Sequence, residues 1–240
     1  MIGSAPIVAI TLRGLLDRRR TWLMLLLAAV PVLVAVVIIL GGNSTFSERP
    51  FDRLIIRTVL PLIALIFGTA AIGAELDDGT VVYLLTKPIR RFRLVLAKSS
   101  VAAGLTIALV VPATLLTGLV GASVDADIAN ATVAFAIAAA IGGTAYALAF
   151  LTLSTFTSRA LAVGLGYVML WEGVLSGLFE GTRLFSIRQA TLGLAAQLQG
   201  TESPRTLDGT SSLVVLGVVI LGSLALASWR LSRFQLRGGD

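Results

Sequence analysis

The sequence predicts an all-α membrane protein of six transmembrane helices preceded by an N-terminal amphipathic interfacial helix, with both termini cytoplasmic. Three observations predict it. Of the 240 residues, 56% are hydrophobic and only 13% charged, against roughly 25% charged in ordinary soluble domains. Apolar runs close to the roughly 20 residues that a helix needs to cross a bilayer core recur along the chain, separated by short polar breaks. With six spans, thirteen of the 19 Lys and Arg fall on the side of the termini, and the basic side of such a protein stays in the cytoplasm. Residues 1–240 then form a single transmembrane domain.

The first element is "PIVAITLRGLLDRRR", residues 6–20, which places Val8, Leu12, Leu15 and Leu16 on one helical stripe and Arg13, Asp17 and Arg20 on another, with Ile10 breaking the pattern. A stripe of this kind suits an elbow helix lying in the membrane interface, its arginines among headgroups. A cytoplasmic extension of the first span fits the same residues. That span covers about 22–40 and contains Pro31, which removes a backbone donor and favours a kink. A basic patch followed by a full-length span is not the pattern of a cleavable leader.

The second span covers about 54–74, the third about 94–120, and the fourth about 131–153, whose "IGGTAYA" permits close helix approach. The fifth runs over about 160–179 and the sixth over about 212–229. In the outer loop 180–210, "FSIRQATLGLAAQL" spaces Ile187, Ala190, Leu194 and Leu198 on one face, a short amphipathic helix expected to rest on the outer surface.

Composition excludes several chemistries. There is no Cys and no His, so disulfides, thiolate metal sites and hydrolytic mechanisms that need a group titrating near neutral pH cannot be assembled. No G-x-x-x-x-G-K-[ST] phosphate loop occurs. The chain is therefore expected to hold no catalytic residue, no metal and no cofactor, and to take any energy input from a partner. The net charge of +6 and pI near 10.7 arise from basic residues at the ends of apolar runs; membrane lipid explains them, and no nucleic acid is expected as a partner.

Between the second and third spans stands "GAELDDGTVVYLLTKPIRRFRLVLAK". Gly79 tolerates positive φ, and the Thr80 hydroxyl is suited to cap a new helix. "VVYLL" forms a short apolar helix, and Lys87, disfavoured in helical geometry before Pro88, stops it. The outcome is a capped apolar knuckle presenting Val82, Tyr83, Leu84 and Leu85, either tucked against headgroups or offered to a protein partner.

This stretch resembles the loop after the second span of ABC-2 type permeases, the membrane subunits of type V ABC transporters: an acid, G-T, a short apolar helix, a proline, an arginine and a terminal G-K or A-K. The elbow helix, the six spans, "GYVMLWEG" in the fifth span, the outer "SIRQATLG" helix and the basic residues after the sixth span are similar to the family as well. The resemblance implies that loop 75–93 is a coupling helix docked on an ATP-binding subunit. By position Glu75, Gly79, Thr80, Leu84, Leu85, Pro88 and Arg91 match the pattern, and Tyr83 is a further contact; "ELDDG" stands where the family is often richer in arginine. It implies two ATPase subunits carrying ATP and Mg and a second permease subunit, identical or homologous; the excess of arginine over lysine and the abundant alanine point to a GC-rich bacterial genome, so a bacterial plasma (inner) membrane is the expected location. Transport would be export by alternating access.

Ionisable residues within spans are costly and face protein or water. Arg57 in the second span and Glu172 in the fifth are thus candidates for an ion pair or polar gate along the pathway. The competing reading has Arg57 snorkelling and Glu172 satisfying a packing contact. An ion-coupled secondary transporter acting without an ATPase is the alternative function, with Glu172 and Arg57 as its coupling groups.

Overall fold

The computed structural model describes residues 18–41, 46–77, 91–175, 184–201 and 207–233, together with positions 8, 11, 12 and 14–16. Within them every regular element is helical: α1 (Arg18–Leu40), a π-helical segment (Phe51–Val59) leading into α2 (Leu60–Asp77), α3 (Arg91–Ala122), α4 (Ile128–Ser154), α5 (Ala160–Gly166) leading into a second π-helical segment (Tyr167–Leu175), α6 (Ile187–Gln199) and α7 (Gly209–Ser232). Alanine, leucine and valine dominate these runs, and a helix satisfies every internal backbone polar group within its own segment, as a bilayer core demands.

Five helices are long and apolar enough to cross a membrane: Thr21–Leu40, Phe51–Gly73, Phe92–Ala122, Ile128–Ser154 and Gly209–Ser232. They coincide with the first, second, third, fourth and sixth expected spans to within a few residues at each end. The fifth expected span is described only as a shorter apolar helix over Ala160–Val174, because 176–183 lie outside the described residues. The elbow at 6–20 also lies mostly outside them. At its described positions Thr11 and Leu15 are buried, whereas Leu12 and Leu16 are exposed.

Helix α4 is the hub, packing against α2, α3, α5, α6 and α7. Its small residues explain why: Ala138, Ala139, Ala145 and Ala147 are almost fully buried, and in lipid it is close backbone approach, not hydrophobic expulsion, that holds helices together. A Cβ on Gly68 of α2 would meet the Ala147 carbonyl at 2.6 Å, so only glycine permits that crossing. Threonine hydroxyls inside the spans return to the carbonyl one turn back, as Thr106 does to Ala102 (2.9 Å) and Thr114 to Val110 (2.8 Å). Thr152 divides its bond between Leu148 of α4 (2.8 Å) and Ser223 of α7 (2.9 Å), joining the two helices. By contrast α1 and α7 are peripheral, with 22% and 17% of their apolar windows buried, against 67% for α4. Their exposed leucines and valines are the surface that lipid covers.

The outer helix departs from expectation. Residues 187–199 are helical as the spacing predicts, but α6 does not rest on a surface: Ile187 through Ala195 are all buried, and the helix is wedged against α4, α7 and the first π segment. Leu198, expected on the buried face, is 47% exposed. The correction has a physical reason. Thr191 and Gly193 are small and lie opposite Gly142 of α4 and Ser212 of α7, so the face that looks polar in the sequence is also free to enter the bundle.

Candidate functional site

The strongest concentration of buried polar chemistry lies at the end of the bundle opposite the 78–90 loop, where the two π segments flank α6. A π-helix closes i→i+5 rings and sets residues five apart above one another. Each segment uses that geometry for a polar pair. In the first, Arg57 Nε donates to Asp52 Oδ1 at 2.8 Å, and the Thr58 hydroxyl donates to the Arg53 carbonyl at 3.0 Å. In the second, the Tyr167 hydroxyl donates to Glu172 Oε1 at 2.9 Å.

Glu172 is 2% exposed. Its carboxylate sits at the N-terminus of α6, where it also accepts from the Ser186 hydroxyl at 2.5 Å and from the backbone N–H of Ile187 at 3.0 Å and Arg188 at 3.4 Å. The first N–H groups of a helix lack internal acceptors and carry the positive end of its dipole, so a carboxylate there is stabilised. Ser186 completes the cap by accepting from the N–H of Gln189 at 3.1 Å. At the other end Gly200, at φ 70°, takes the left-handed conformation that lets Thr201 N–H reach the Ala196 carbonyl at 3.0 Å. Both ends of α6 are thereby fixed.

Aromatic rings wall the carboxylate. Tyr146 is wholly buried and adjoins it; Phe150 stacks on Tyr146 with centroids 5.8 Å apart and meets Tyr167 edge-on at 6.3 Å. Trp171 Nε1 donates to the Phe185 carbonyl at 3.3 Å, tying the second π segment to the chain that enters α6. Arg188, 5% exposed, is within electrostatic reach of Glu172, Arg57 and Asp52.

The two candidates from the sequence are thus at one end of the molecule, but each bonds to a different group: Arg57 to Asp52, and Glu172 to the α6 N-terminus. Asp52, Tyr167, Ser186 and Arg188 are residues of this network that the sequence did not single out as candidates. For Ser186 a signal existed, since "SIRQ" has the S-x-x-Q spacing of a capping box. For Asp52–Arg57 and Tyr167–Glu172 none did, because a spacing of five places residues on different faces of the α-helix that the apolar pattern implies.

At the opposite end, Gly79, Thr80, Tyr83, Leu84, Leu85 and Pro88 lie outside the described residues. Glu75 falls within α2, and Arg91 opens α3. The two stems are joined near their roots: Lys98 of α3 is 1% exposed, and its Nζ donates to the Ala71 carbonyl of α2 at 2.7 Å. A buried ammonium is costly unless hydrogen-bonded, and this one links the helix entering the loop to the helix leaving it.

The sequence profile of the ABC-2 family transporter protein matches residues 16–172, more than half of the chain. The chain belongs to the ABC-2 transporter family. No curated protein matches the chain significantly. The family match spans α1 to Glu172 and includes the loop between α2 and α3, whereas α6 and α7 lie beyond it. Family membership and five membrane-length apolar helices make this ABC-2 family member a multi-pass membrane protein.

Proposed function

We propose that this ABC-2 protein is the membrane-spanning permease subunit of an ATP-driven exporter, moving substrate by alternating access while ATP is hydrolysed on separate subunits docked on loop 75–93. Six spans with both termini cytoplasmic, two ATPase subunits, a second permease subunit and a bacterial inner-membrane location belong to the same reading. The observation that carries it is the family match across residues 16–172, which includes that loop. The Lys98–Ala71 bond supports it physically, since a loop whose stems are joined moves both helices together when its tip is displaced. Glu172 acts as the fixed cap of α6 in this reading, so that α6 and the second π segment move as a unit. That role does not favour an ion-coupled carrier, which needs a carboxylate that binds and releases its ion.

The experiment is co-purification of the chain with its ATPase, followed by reconstitution in vesicles. ATP-dependent flux is expected. Leu84→Asp is expected to abolish ATPase association while the bundle stays folded, and flux driven by an ion gradient without ATP would overturn the reading.

A further inference from the structure

At the loop end of the bundle, the turn after α4 meets the last turn of α7, and two guanidinium groups are held there on aromatic rings. Arg230 Cζ lies 5.5 Å from the centroid of the Phe156 ring, and Arg233 Cζ lies 4.4 Å from that of Trp229. Arg159 follows Phe156 by three residues and is exposed. Residues 151–166 contain no acid, and after Asp208 the chain has none before Asp240, so the two segments that carry these arginines supply no carboxylate of their own. Phe156 and Trp229 are each 47% exposed, and Leu161 of α5 (53%) and, one turn before Trp229, Leu226 of α7 (51%) are exposed as well.

We propose that Arg159, Arg230 and Arg233 form a binding site for an anionic phospholipid, the phosphate held by the guanidinium groups and the acyl chains laid along Phe156, Trp229 and Leu226. Stacking on a ring uses the face of a guanidinium and leaves its N–H donors in plane, which is the geometry that meets a phosphate two-pronged. The rings also restrict both long side chains before the lipid arrives, so less conformational freedom is lost on binding. A lipid suits the site better than an acidic protein surface because the guanidinium groups lie on half-exposed aromatic rings at the end of spanning helices, where headgroup and hydrocarbon meet. This proposal does not depend on the transport reading.

Trp229 provides the probe. In a Trp22→Phe/Trp171→Phe background, the full-length protein is reconstituted in phosphatidylcholine vesicles containing brominated phosphatidylglycerol or brominated phosphatidylcholine at equal mole fraction. Quenching of Trp229 is expected to show a several-fold preference for the anionic lipid. Arg230→Gln/Arg233→Gln is expected to abolish the preference, since each basic side chain near an anionic surface is worth roughly a fivefold change and a several-fold preference does not outlast the loss of two. Arg233→Gln alone, at an exposed position, is expected to weaken it with the melting temperature in phosphatidylcholine unchanged. Arg49→Gln/Arg53→Gln, far from the site, is expected to leave it intact. Equal quenching by both lipids, persistence of the preference in the double variant, equal loss in the distant variant, or displacement of the lipid by millimolar inorganic phosphate would overturn the proposal. So would a double variant that keeps its lipid preference but loses association with an ATPase subunit, which would make the cluster a protein contact.

Discussion

Glu172 illustrates how a buried acid in a membrane helix is accommodated. At least four donors from two elements surround it, and two of them are backbone N–H groups of α6. Glu172→Gln keeps the size but replaces an acceptor-only oxygen with an NH2 donor facing other donors. Leaving buried polar groups unsatisfied costs about 1–3 kcal/mol. A lower melting temperature and reduced transport are therefore expected, and unchanged transport in a competent assay would remove Glu172 from any gating role. Tyr167→Phe deletes one of these donors and is expected to cost about 1 kcal/mol, measured by the same melt. Lys98→Met keeps the length and apolar stem but loses the bond to Ala71. If the joined stems transmit motion, ATP hydrolysis by the complex should persist while flux falls, and a parallel fall of both would reduce Lys98 to a structural staple.

At the scale of elements, α6 stands out because its position is over-determined: capped by Ser186 and Glu172 at one end and by Gly200 at the other, and seated against glycines of α4 and α7. Ser186→Ala removes both the N-cap acceptor for Gln189 and a donor to Glu172, and N-cap losses cost about 0.5–2 kcal/mol. Gly142→Val places a branched side chain where Thr191 already lies. Protease accessibility of the segment around 184–201 is expected to rise in both variants, more in Gly142→Val because the clash displaces the whole helix from α4. The π segments belong to this scale too. Each closes its hydrogen bonds over one residue more than an α-helix does, which is what aligns Asp52 with Arg57 and Tyr167 with Glu172. Deleting one residue from either segment is expected to restore α-helical register and to separate its pair.

For the molecule as a whole, a central helix of small residues surrounded by five packing partners, with lipid-exposed α1 and α7 at the periphery, gives a bundle whose two ends differ chemically. One end holds the buried network of Glu172, Tyr167, Ser186 and Arg188; the other holds Lys98 between the loop stems and the arginines of α7. The helix that enters the loop is α2, whose N-terminal extension is the π segment of Arg57, and α4 contacts both α2 and α6. Residues at the two ends are thus connected through rigid helices. Leu84→Asp and Glu172→Gln are accordingly expected to fail in different ways, the first in assembly with the ATPase and the second in flux from an assembled complex.

By itself the sequence determined the helical class, the location of five membrane-length helices to within a few residues, the helix at 187–199 and the family. All of these follow from local composition and period: an apolar run of sufficient length has one low-energy conformation in lipid, whatever surrounds it. The tertiary structure decided what those helices do to one another. It took α6 from a surface to the interior, because residues too small to look apolar were small enough to pack. It gave Arg57 to Asp52 and Glu172 to the start of α6, because an i→i+5 register and a contact across fourteen residues of chain leave no trace in an apolar pattern. It drew Lys98 from the end of a charged motif to the carbonyl of Ala71 on another helix, since a buried ammonium is tolerated only where a chain distant in sequence offers an acceptor.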